Sequence, residues 1–167
     1  MKLIAVQDAN ILIDLVNIGL FDRCLTLQYR FTSTNIILDE LHDEQVALIQ
    51  PHISSGKFTI IEIDADSLSS IIDVSKEEPR LSEQDWSALY YAQQLDALLL
   101  TGDRRLRNLA QQKGITVCGA LWILDKLVET SNLSKNEACE FLQLLLLKNK
   151  RLPGDECDQR LKLWCGV

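Results

Sequence analysis

Several carboxylates in this sequence have the residue type and the placement to hold a hard divalent cation. Asp8 follows the apolar run Leu3-Ile4-Ala5-Val6 and precedes a helical pattern. Asp103 follows Ala97-Leu98-Leu99-Leu100-Thr101 and opens another helix, and Asp85 stands at the start of a third. Each has an ordinary alternative as a helix cap, since Asp and Asn serve well at helix N-termini and Ser82-Glu83-Gln84-Asp85 fits a capping box. A fourth acid is harder to explain that way. On a helical wheel begun at Ile36 the apolar arc runs through Ile36, Ala47, Ile37, Leu48 and Leu41, and both Glu40 and Glu44 fall inside it. A carboxylate among isoleucines is costly unless its charge is compensated, which a metal would do; the alternative is a solvated edge of the arc. All-oxygen ligands select Mg²⁺ or Mn²⁺ over zinc. With no evident nucleophile beside them, such acids suit hydrolysis by an activated water. Crowded together they repel, so their proton affinities should rise.

The elements that must position these acids alternate in type. Apolar runs at 2–7, 29–32, 57–63, 97–101 and 115–118 read as strands. Helical patterns cover 10–28 with a break near Gly19, 36–49 up to Pro51, 66–74, 82–95, 103–113, 120–130 and 135–148. Strands alternating with helices predict an α/β fold, a three-layer α/β/α sandwich around a mostly parallel sheet. Ligands of such sheets bind beyond the carboxyl ends of the strands. That rule gathers Asp8, the 32–40 segment and Thr101-Gly102-Asp103 at one edge, and sets Asp96 at the other. Residues 1–150 read as one domain, with 151–167 as a tail that packs on the domain or docks a partner.

Bulk properties narrow the partners. Hydrophobic residues make up 47% and charged residues 25%, a globular mix in 167 residues. No run of 18 apolar residues is present, and an acid comes too early for a signal peptide, so the protein is expected to be cytoplasmic. The five cysteines form no C-x-x-C pair and, with only His42 and His52 beside them, give little support to zinc; they are expected to be free, mostly buried thiols. A formal net charge of -7 is the wrong sign for a nucleic-acid binder unless a bound metal neutralises part of it. Arg104 and Arg105 are either a solvated helix face or grips for phosphate beside Asp103. No aromatic platform with interleaved basic residues is evident.

Four segments in order resemble the PIN-domain nucleases, a family that includes the toxins of VapBC-type toxin–antitoxin pairs. They are Asp8-Ala9-Asn10 after the first strand, Thr32-Ser33 through Leu38-Asp39-Glu40-Leu41, Leu81-Ser82-Glu83-Gln84-Asp85 through Ala92, and Leu100-Thr101-Gly102-Asp103 with Leu106 and Ala110 behind it. The resemblance covers about residues 1–130 and singles out Glu40 over Glu44. It implies that Asp8, Glu40, Asp85 and Asp103 form a catalytic, metal-binding site, with Asn10 and Thr101 positioning ligands or substrate. It further implies a Rossmann-like fold, Mg²⁺- or Mn²⁺-dependent cleavage of single-stranded RNA, frequent homodimerisation and, for a toxin, an antitoxin protein as partner. The chain departs from compact toxins in its longer C-terminal part, the 135–148 helix and the tail. A catalytically idle PIN scaffold working through protein contacts is the competing expectation. Another Mg²⁺-dependent phosphotransfer enzyme on a doubly wound sheet is a third expectation.

Overall fold

The computed structural model describes residues 3–166. Five strands form one sheet in the order β3-β2-β1-β4-β5, every neighbouring pair parallel. They are β1 (Leu3–Gln7), β2 (Tyr29–Thr34), β3 (Phe58–Ile61), β4 (Leu98–Leu100) and β5 (Val117–Cys118). The start expected at Lys2 lies outside the described residues. Central strands of a sheet covered on both faces read as continuous apolar runs, as Ala5-Val6 and Leu99-Leu100 do. Val6 pairs with Thr32 on one side and Leu99 on the other, so β1, which ends just before Asp8, runs down the middle of the sheet.

Helices cover both faces. On one side α6 (Glu83–Gln94) packs against β1, β2 and β4, flanked by α3 (Asn35–Leu38), α5 (Ala65–Ser75) and α7 (Arg104–Gln112). A second group is built on α1 (Ala9–Asn17), which contacts α2 (Phe21–Cys24), α4 (Asp43–Ser54) and α8 (Ala120–Glu129). Behind α8 lies α9 (Lys135–Lys148), and α10 (Gly154–Cys165) folds back on α9. Among the described residues no helix is long and apolar enough to cross a membrane.

Two expected helices are divided. Gly19, at φ +74, turns the chain between α1 and α2 in a conformation that disfavours side chains. The 36–49 helix becomes α3 and α4, because Thr34 caps the first (Ile37 N to Oγ1, 3.3 Å) and the Gln45 side chain accepts the His42 amide (2.9 Å) to start the second. Helix α4 then passes through Pro51 to Ser54; Pro51 is exposed, so the carbonyl it deprives of a donor can meet water. Glu40 therefore sits in an exposed turn, not inside an apolar helical arc, and the burial argument for it does not hold.

The cysteines also differ from expectation. Cys139 and Cys165 form a disulfide joining α9 to α10, while Cys24, Cys118 and Cys157 are free. The return of α10 along α9 brings the two Cα atoms to 5.4 Å, a separation no sequence spacing announces.

Candidate active site

The carboxyl edge of the sheet is polar although it is buried. Gln7, Asp8, Thr32, Ser33, Thr34 and Thr101 are all shielded from solvent. Such groups need partners, and most have them, while Gln7 Oε1 has none among the described residues. Ser33 Oγ donates to the Gln7 carbonyl (2.8 Å). Ser87 Oγ donates to the Gln84 carbonyl (2.7 Å) and pairs with Thr34 Oγ1 (2.9 Å), which ties the start of α3 to α6. The segment leading to Glu40 is thereby fixed relative to the helix bearing Asp85.

Asp8, Asp85 and Asp103 all act as caps. Asp8 Oδ1 accepts the Ile11 amide (2.8 Å), Asp103 Oδ1 accepts the Leu106 amide (2.8 Å), and Asp85 Oδ2 accepts the Ser82 amide (3.1 Å) in a reciprocal capping box. Capping does not exhaust them. It occupies one oxygen each of Asp85 and Asp103, and among the described residues the second accepts no hydrogen bond. The cap reading and the ligand reading are compatible.

Thr101 links two of the acids. Its hydroxyl donates to Asp8 Oδ2 and accepts the Asp103 amide (3.0 Å). Asp8 is 1% exposed, and burial pushes its carboxyl up to about 7. The hydrogen bonds from Thr101 and Ile11 oppose that rise, and repulsion from Asp85 and Asp103 adds to it. Glu40 is also raised, first by desolvation and then by Asp85, so its turn stays within reach of the same field. Proton affinity is thus raised at Asp8 and Glu40, by desolvation first and only secondarily by the repulsion expected of crowded acids. Asp85 and Asp103 act on Asp8, and Asp85 acts on Glu40, yet among the described residues no three His, Cys, Asp or Glu side chains converge closely enough to cage an ion. Magnesium suits such an open set, because it keeps several waters and takes only one or two carboxylates together with substrate phosphate.

Asn10 is exposed in the first turn of α1, and Arg104 and Arg105 are exposed in the first turn of α7. The two arginines line a cleft of ≈ 680 Å³ together with Asp103, Glu78, Arg80 and Arg151 among others, whereas Asn10 does not line it. Of the four acids only Asp103 lines it. Arg80 grips Glu78 with two bonds of 2.7 Å and holds that carboxyl down to about 2. Arg107 is committed inward, donating to the Thr101 carbonyl (3.2 Å). Arg80 directly precedes the Leu81–Asp85 motif and Arg151 lies in the C-terminal part; neither was anticipated at the site, and the fold brings both to the cleft lined by Asp103. The polar belt had a signal, since Thr32-Ser33-Thr34 extends a strand that the sequence pattern ends at Thr32.

A sequence model described as PIN domain matches residues 4–165. No curated protein matches the chain. Among solved structures, PAE2754 from Pyrobaculum aerophilum superposes with a TM-score of 0.53 at 20% identity, over 77% of this chain and 99% of that one. A PilT N-terminus domain protein, SSO1118 from Sulfolobus solfataricus, gives a TM-score of 0.45 at 18% identity, over 75% of this chain and 92% of that one.

Proposed function

The chain belongs to the PIN-domain family, and on that premise we propose that it is a metal-dependent endoribonuclease whose site is Asp8, Glu40, Asp85 and Asp103. The observation that carries this reading is the Asp8–Thr101–Asp103 link, which holds a buried, proton-hungry carboxyl next to one with a bare oxygen. Capping α1 alone would be served by Asn, so a carboxyl this costly to ionise points to a use for its charge. The oxygen-only donor set fits Mg²⁺ or Mn²⁺. When bound, such a cation supplies Lewis-acid polarisation of the scissile phosphate.

The chain's own residues have separate tasks in this reading. Asp8, Asp85 and Asp103 would hold the cation, and Glu40 would join them from its turn. Thr101 donates to Asp8 Oδ2 and so favours the ionised carboxylate that a cation needs. Arg104 and Arg105 orient substrate phosphate at the mouth of the cleft, and Asn10, two residues after Asp8, is the further substrate-positioning residue by the family motif. Single-stranded RNA is the substrate class proposed for it, by its family.

The test is cleavage of single-stranded RNA with Mg²⁺ or Mn²⁺ by wild type, Asp8→Asn and Asp103→Asn. Activity in wild type and its loss in both variants is expected; equal activity in all three would overturn the reading. The competing scaffold reading has one observation in its favour, the absence of three converging ligands among the described residues. It predicts that calorimetry finds no Mn²⁺ binding, whereas the nuclease binds Mn²⁺ and loses it on Asp85→Asn.

The family also suggests a toxin role, with an antitoxin polypeptide as partner and a homodimer as the working form. Leu144 and Leu147, nearly a turn apart on α9, are 43% and 69% exposed and offer an apolar face for such contacts. Light scattering reads the oligomeric state directly.

A further inference from the structure

Next to the arginine-lined cleft lies a second cavity of ≈ 540 Å³ between α1, α7, α8 and the 149–153 arm that joins α9 to α10. The two cavities share Gly102, Arg104 and Arg151, so they meet beside Asp103. Their linings differ. The second is walled by Leu121, Trp122, Leu152 and Pro153, with the inward Arg107 guanidinium behind. Gly119 permits that placement, because a Cβ there would stand 3.2 Å from Arg107 Nη2. The volume falls in the range of small-ligand sites, and an apolar slot beside a flat guanidinium suits a planar heterocycle.

Charge selects the kind of ligand. The acids of this cavity are already engaged: Asp14 accepts from Asn149 Nδ2 (2.8 Å), and Glu156 lies 3.6 Å from Arg160. Arg104 and Arg151 have no ion-pair partner among the described residues. Two uncompensated guanidinium groups at the junction favour a phosphate there. The arm itself is built in. The Asn149 side chain holds Asp14 and also accepts the Arg151 amide (2.9 Å), while α10 beyond it is pinned by the Arg160–Asp125 pair (2.6 and 2.9 Å) and by the Cys139–Cys165 bridge.

We propose that this cavity is a nucleotide subsite for the RNA strand, in which Arg104 and Arg151 clasp a phosphate next to Asp103 and the walls of Trp122 and Leu152 receive the attached base. The proposal rests on the nuclease reading for its substrate. It makes the C-terminal arm a part of substrate recognition, with base preference set by the Trp122 slot. The occupant is a nucleotide in preference to a polypeptide because one polyanion would engage both cavities through the arginines they share.

Fluorescence tests it in metal-free wild-type protein. Trp86 and Trp164 are buried, whereas Trp122 is half-buried and lines the cavity, so ligand-sensitive emission reports on Trp122. Nucleoside 5′-monophosphates are titrated against inorganic phosphate, for wild type, Arg151→Ala and Lys150→Ala. Lys150 is an exposed cation of the same arm that lines neither cavity. Saturable quenching by nucleotides is expected, with affinity about tenfold weaker in Arg151→Ala and unchanged in Lys150→Ala. In RNA cleavage Arg151→Ala should raise KM by a similar factor and leave kcat alone. Nucleotides binding no better than inorganic phosphate, or equal losses in the two variants, would overturn the subsite. So would a polypeptide that quenches Trp122 without competition from RNA. Cleavage by wild type without nucleotide binding removes the subsite and leaves the nuclease reading; Arg151-dependent binding without cleavage does the reverse.

Discussion

The Thr101 hydroxyl donates its proton to Asp8 and offers its lone pair to the Asp103 amide, so one buried atom orients two acids. Thr101→Val keeps the shape and removes both bonds. Mn²⁺ affinity is expected to fall by about 10–100-fold, as for other groups that orient ligands, with the fold intact by circular dichroism. Asp8 itself gives a prediction in pH. Its folded carboxyl titrates near 7 against 3.8 unfolded, so between those values the folded state holds more protons. In metal-free protein that contribution is fully present below pH 3.8 and is lost as pH rises toward 7. Asp8→Asn should therefore unfold at higher urea than wild type at pH 8, by about 2–4 kcal/mol, with the gap closing toward pH 4. A variant that is more stable yet inactive is the signature of a charge kept for function. Asp8 and Asp103 were legible because they follow apolar runs that could only be inner strands. Arg151 was not, since its nearness to Asp103 depends on how α9 and α10 fold back.

At the scale of elements, helix ends place the acids. Ser82 and Asp85 exchange bonds of 3.1 Å across the first turn of α6, so that turn's stability and the aim of Asp85 are coupled. Ser82→Ala should cost about 1 kcal/mol in urea unfolding and also lower activity through Asp85. Most elements were readable from periodicity, because a parallel sheet buried on both faces demands unbroken apolar strands. The 36–49 segment misled for a physical reason. Its apolar spacing continues across a turn that Thr34 and Gln45 create by capping two shorter helices, and periodicity does not register caps inside a run. Glu40 keeps its place in the proposed site through the family motif and its field from Asp85, no longer through burial.

Across the whole molecule, the C-terminal helices clasp the body instead of trailing from it. Helix α10 lies on α9, Arg160 reaches Asp125 on α8, and the disulfide closes a loop of 26 residues in sequence separation. Cys165→Ser should lower stability by about 3 kcal/mol under oxidising conditions and change nothing once wild type is reduced. The 149–153 arm remains held by Asn149 and Asp14 in either redox state, so the KM for RNA should not follow the disulfide. Where α7 and this arm meet, Arg104, Arg105 and Arg151 gather beside Asp103, a local cluster of cations on a chain of net charge -7. The most direct test is a crystal soaked in Mn²⁺ and measured for anomalous scattering. A peak within coordination distance of both Asp8 and Asp103, absent in Asp8→Asn, is the predicted result; no peak among the four acids at saturating Mn²⁺ would contradict the account.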